Sequence, residues 1–91
     1  MKTKTPIEQF AAWSEKRAIR VNVEMQVKIL HEFATWCKIH AISARWTKLD
    51  DRDIANYLRR KKMHGSSDLE IKFAYNTIRT MQTYASYRKR K

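Results

Sequence analysis

Apolar residues recur along this chain at spacings of three and four with polar residues between them, and that period predicts helices. The first runs over about 6–17. Pro6 takes a first-turn position behind Thr5 as cap, Glu8 follows, and Ile7, Phe10, Ala11 and Trp13 face inward. Residues 17–21 are a short basic link. Asn22 then caps a second helix over about 22–40, with Glu24 suited to the positive end of its dipole. Val23, Val27, Leu30, Ala34 and Cys37 form one stripe, and Ile29, Phe33 and Trp36 widen it past half the circumference. A helix apolar on so much of its girth is expected at the centre, with neighbours on two sides.

Residues 42–49 form a connector whose Trp46 and Leu49 plug the core. Asp50 or Asp51 caps a third helix over about 50–62. Ile54, Ala55, Tyr57 and Leu58 face in, and Arg59, Arg60, Lys61 and Lys62 gather at the C-terminal end, where cations suit the dipole. Gly65 stops that helix, and Ser66 or Ser67 caps a fourth over about 67–87. On this last helix Ile71, Ala74, Tyr75, Ile78, Met81 and Ala85 make an apolar face. Lys72, Asn76, Arg79 and Thr83 make a second stripe at the same spacings, on its flank. The stripe reads either as a solvated surface or as a face for a polar, anionic partner.

Composition turns four helices into a fold class. One Gly, one Pro and no sustained alternation of β-branched with polar residues exclude a sheet protein. The 91 residues suffice for a single core, so the expectation is one all-α domain over 1–91, a compact four-helix bundle. Charge then favours one reading of the polar stripe. Twenty Lys and Arg against nine Asp and Glu give +11, a surface that repels itself unless it meets an anion. The basic residues are spread over several segments rather than set opposite an exposed apolar face, so nucleic acid is favoured and no membrane partner is expected.

The candidate chemistry is sparse. Cys37 is the single cysteine, excluding an intramolecular disulfide, and reads as a small core residue. No apolar run suits a signal peptide or a membrane span, which implies a soluble, cytoplasmic protein. The three His lie in different segments, no glycine-rich turn offers an oxyanion or phosphate site, and Cys37, His40 and His31 fall short of a zinc set. No catalytic residue, metal, cofactor or small-molecule substrate is expected. Tyr57, Tyr75, Tyr84 and Tyr87 read as core or rim residues.

The order of helices and their residues resembles the N-terminal core-binding domain of tyrosine recombinases, the phage-type integrases. The second helix of that family opens with Thr-Ile, then Tyr, then Leu-x-x-Phe-x-x-Trp; here stand Asn22-Val23, Gln26 and Leu30-x-x-Phe33-x-x-Trp36. Its third helix, Ile-Thr-x-x-Asp-Ile-x-x-Tyr-Leu, is matched by Leu49-Asp50-Asp51-Arg52-Asp53-Ile54-Ala55-Asn56-Tyr57-Leu58. Gly65-Ser66-Ser67, Ile71, Tyr75, Ile78-Arg79 and Tyr84-Ala85 fill the places of its fourth. The likeness spans about 7–87. It departs at Asn22 for Thr, Gln26 for Tyr, and Glu70 where Thr is common.

The resemblance implies a SAM-like four-helix fold that sits on one face of double-stranded DNA, its second and fourth helices towards the major groove. It also implies a role in DNA integration and recombination, in a bacterial or phage-infected cell and associated with the nucleoid. The family's catalytic Arg, Lys, His and Tyr belong to a separate domain, so this chain is expected to be no enzyme. It reads either as the binding domain of an integrase, partnered by other recombinase protomers or a catalytic domain, or as a stand-alone relative. Base or near-base contacts are expected from Lys72, Asn76 and Arg79, and Thr83, Asn22 and Gln26 are also expected to touch DNA. Backbone contacts are expected from Arg17, Arg20, Lys28 and the tail of Arg88, Lys89 and Arg90. Lys61 and Lys62 either join these or only cap their helix. The alternative is a small helical regulator that docks on an integrase or another host protein through Leu69 and Phe73, which lie off the main apolar face.

Overall fold

The computed structural model describes residues 5–17, 22–40, 42 and 46–89, and the side chains of all of these except 88 and 89. Among them are four α-helices and no strand: α1 (Pro6–Arg17), α2 (Val23–Ile39), α3 (Asp51–Met63) and α4 (Asp68–Lys89), with a 3₁₀ turn at Trp46–Lys48. The all-α bundle stands as expected, and each helix begins or ends within two residues of the boundary expected for it.

Side chains decide those boundaries. Thr5 Oγ1 accepts the Glu8 backbone N–H at 3.2 Å and starts α1. Asn22 Oδ1 accepts from the Met25 N–H at 3.0 Å, and of the two aspartates before α3 it is Asp50 that caps, its Oδ1 accepting from the Arg52 N–H at 2.9 Å. Ser67 and Glu70 close a reciprocal capping box at the start of α4. The Glu70 N–H donates to Ser67 Oγ at 3.2 Å, and the Ser67 N–H donates to Glu70 Oε1 at 3.1 Å. That box gives Glu70 a local role at a place where the resembled family commonly has Thr, and the hydrogen bonds from Ser67, its backbone N–H first, hold the carboxyl below its ordinary value. At the other side of the turn Gly65 sits at φ +94°, a left-handed conformation that a side chain disfavours. It lets the Ser66 N–H reach Lys61 O and the Gly65 N–H reach Lys62 O, both at 3.1 Å, a Schellman ending.

The core forms two adjoining clusters. Ile7, Phe10, Leu30, Met81 and Tyr84 join α1, α2 and α4, with Trp13 and Val27 at the margin. Phe33, Cys37, Ile54, Tyr57 and Ile78 join α2, α3 and α4, and Trp46 packs against both clusters. The central position expected for α2 falls instead to α4, which packs against α1, α2, α3 and the 3₁₀ turn. Gln82 Nε2 donates to Trp46 O at 3.2 Å and ties the turn down.

The reason lies in the face α4 presents. Its buried residues are Ala74, Thr77, Ile78, Met81 and Tyr84, while Tyr75, expected inward, is 44% exposed. Ala74 and Thr77 are small enough to admit neighbouring helices closely. At about 100° per residue this exchange turns the packed face away from Lys72, Asn76, Arg79 and Thr83. The polar stripe therefore points away from the core rather than running along its flank.

Candidate nucleic-acid interface

Lys72, Asn76, Arg79 and Thr83 are all exposed on α4, on neighbouring turns of one face. The helix carries them because its opposite side is locked into both core clusters. Two hydroxyls fold back on the helix itself: Thr80 Oγ1 donates to Asn76 O at 2.7 Å, and Thr83 Oγ1 donates to Arg79 O at 3.1 Å. Thr83 thus presents a methyl group and a spent donor rather than a free hydroxyl proton. Arg79 Nη1 donates to Asp51 Oδ1 at 3.0 Å and to Gln82 Oε1 at 3.2 Å. The two side chains of the ion pair are 47% and 84% exposed, so the pair is worth little and yields readily to a stronger anion. Beside the stripe an open groove of about 540 Å³ lies between α4 and the 3₁₀ turn, lined by Arg79, Gln82, Thr83 and Ser86 opposite Trp46 and Thr47. Hydrogen-bond donors and acceptors thus line this open surface.

The remaining expected contacts divide. Lys28 is exposed on α2. Arg17, at the end of α1, lies 4.9 Å from the centroid of the Trp13 ring, so its guanidinium is positioned over an aromatic face while remaining exposed. Asn22 is exposed, but its side-chain oxygen caps α2. Arg20 and Arg90 lie outside the described residues, as do the side chains of Arg88 and Lys89.

Gln26 has to be corrected. It is 6% exposed, and its Oε1 accepts the Ser14 hydroxyl at 2.8 Å across the α1–α2 interface. A buried amide already paired is part of the packing, and base readout from it is excluded while the domain is folded. Sequence spacing could not show this, because Ser14 belongs to another helix.

A second network answers the alternatives left open for Lys61. Glu32 Oε1 accepts both the Tyr57 hydroxyl at 2.6 Å and Lys61 Nζ at 2.7 Å, joining α2 to α3. Burial acts to raise the Glu32 carboxyl, but the hydrogen bonds from Lys61 and Tyr57, helped by the Lys28 charge, hold it below its ordinary value. Burial first, and then the Glu32 bond and charge, push the Tyr57 hydroxyl far up, so it stays protonated. Lys61 is therefore committed to α2, whereas Lys62 is exposed. Burial and the nearby Asp53 charge push the Cys37 thiol up to about 11, so the thiolate is disfavoured.

Among the described residues no group of three or more His, Cys, Asp or Glu is placed to hold a metal ion, and no helix is long and apolar enough to cross a membrane. Comparison with known proteins supplies no relative: no family model, no curated protein and no solved structure matches the chain.

Proposed function

We propose that this chain is a duplex-DNA-binding domain of the integrase core-binding type, laying the outward stripe of α4 in the major groove. The observation that carries the reading is the excess of eleven positive charges on a bundle whose best-packed helix turns Lys72, Asn76, Arg79 and Thr83 away from the core. Arg suits the guanine edge and Asn the adenine edge, while Lys28, Arg17 and the basic tail neutralise phosphates. The resemblance of the second, third and fourth helices to recombinase core-binding domains supports the same reading. On this account the domain holds DNA without cutting it, within an integrase or as a stand-alone relative in a bacterial or phage-infected cell, at the nucleoid.

A fluorescence-anisotropy titration of a labelled random duplex at 50 and 500 mM KCl tests it. Four to six phosphate contacts, each with a slope near −0.9 in log K against log salt, weaken binding by roughly four to five powers of ten over that tenfold rise. No binding at the lower salt, or binding that salt leaves unchanged, refutes the proposal.

A second reading, a module that docks on a protein, has its own observation: Leu69 is 80% exposed at the start of α4, with the half-buried Phe73 one turn on. Leu69→Asp abolishes a pull-down with the partner on that reading and leaves DNA binding intact on the first.

A further inference from the structure

Away from the α4 stripe, the C-terminal half of α2 and one side of α3 enclose two adjoining hollows of about 570 and 330 Å³ that share Trp36, Arg60 and His64. None of the α4 stripe lines them. Trp36, Ile42 and Met63 supply an apolar part of the lining, and Met63 is 80% exposed, with Ile39 at 74% nearby in sequence to the lining residue His40. Arg59 and Arg60 line the same space, and neither makes an ion pair among the described residues. The carboxylates present are Asp53 in the larger hollow and Glu32 in the smaller, and Glu32 is taken up by Tyr57 and Lys61. Trp36 also carries a buried Nε1–H with no acceptor among the described residues.

We propose that this groove docks an acidic, amphipathic peptide segment of a partner protein, independently of the DNA reading. Apolar surface beside unpaired guanidinium groups fits a ligand that carries both carboxylates and hydrophobic side chains. Nucleic acid fits less well, for a geometric reason. Phe33, 6.0 Å from Trp36 at an interplanar angle of 16°, and His40, tilted at 4.6 Å, crowd the indole where a base would have to stack. Leu or Phe side chains of the peptide cover Met63 and Ile42, its carboxylates meet Arg59 and Arg60, and a small movement of the exposed His40 brings an acceptor to Trp36 Nε1.

The test uses the full chain labelled with ¹⁵N and three probes: a twelve-residue peptide alternating Asp or Glu with Leu or Phe, the same peptide with every apolar residue replaced by Ser, and twelve-residue oligothymidylate. The expected result is that the first peptide alone saturates at micromolar concentration and moves the Trp36 indole N–H resonance, assigned by its loss in Trp36→Phe. Arg59→Glu with Arg60→Glu, and separately Met63→Ser, are expected to weaken that binding at least tenfold with unchanged circular dichroism; all three residues are exposed. Absence of binding overturns the proposal, as does a Trp36 resonance that stays still. Equal binding of the serine peptide or the oligonucleotide also overturns it, since charge alone then accounts for the attraction.

Discussion

Replacing Ser14 or Gln26 tests the packing role that the structure gives Gln26 against the DNA contact expected of it from sequence. Ser14 and Gln26 are 3% and 6% exposed, and the 2.8 Å bond between them is a polar contact that joins α1 to α2. Ser14→Ala leaves the Gln26 carbonyl buried without a donor, which costs about 1–3 kcal/mol. Gln26→Ala strands the hydroxyl instead and adds a cavity, for about 2–4 kcal/mol. Ser14→Ala with Gln26→Leu replaces both partners by apolar groups and recovers much of the loss, with a coupling of about 1 kcal/mol in the cycle. Against a total stability of roughly 5–15 kcal/mol these are large effects. In urea unfolding followed by tryptophan fluorescence, a loss of about 2 kcal/mol moves the midpoint by about 1 M for a slope of about 2 kcal/mol/M. DNA affinity of the folded variants is expected to match wild type within a factor of about two. The reasoning fails if Gln26→Ala leaves the urea midpoint in place, or if it weakens DNA binding while stability holds.

Three further outcomes are expected. Because the folded Glu32 carboxyl lies below its usual value, its stabilisation is present above the unfolded value and is lost as pH falls through the folded one. Since the Glu32 side chain is 46% exposed and screened by solvent, Glu32→Gln is expected to cost less than about 1 kcal/mol at neutral pH in urea unfolding, and that gap is expected to close as pH falls through the folded value, below the ordinary carboxylate range. Ile78→Ala, at a position with no exposure, is expected to cost about 2–5 kcal/mol in thermal or urea unfolding while DNA affinity measured in the cold stays unchanged. Asp51→Asn releases Arg79 from its exposed pair, so anisotropy is expected to show tighter DNA binding with less than about 1 kcal/mol of stability lost.

Much of the fold was legible because its signals are local. Caps, the Gly65 stop and the spacing of Ile7, Phe10, Leu30 and Phe33 each act within a turn or two, so the helix boundaries follow from them. What escaped depends on partners distant in sequence. Thr77 and Tyr75 exchange places because amphipathic residues have no fixed side, and only the neighbours of α4 choose which way the helix turns. Gln26 reads as polar until Ser14 faces it from 12 residues away, and Lys61 reads as a helix-end cation until Glu32 meets it across 29. The α4 stripe was visible as a set of residues, but its direction was not. Arg79 was visible as a cation without Asp51, which belongs to α3. The Trp36 groove was invisible, since it is built between α2 and α3 from residues far apart in sequence.

The central claim is that the α4 stripe enters the duplex, and its most direct test is the affinity of Arg79→Ala and Asn76→Ala for a site selected from random duplexes by the wild-type chain. The account predicts that each loses about 1–3 kcal/mol, roughly 5- to 150-fold, at that site and discriminates less among base changes there, with the thermal midpoint nearly unchanged. Wild-type affinity and wild-type discrimination in both variants would contradict it.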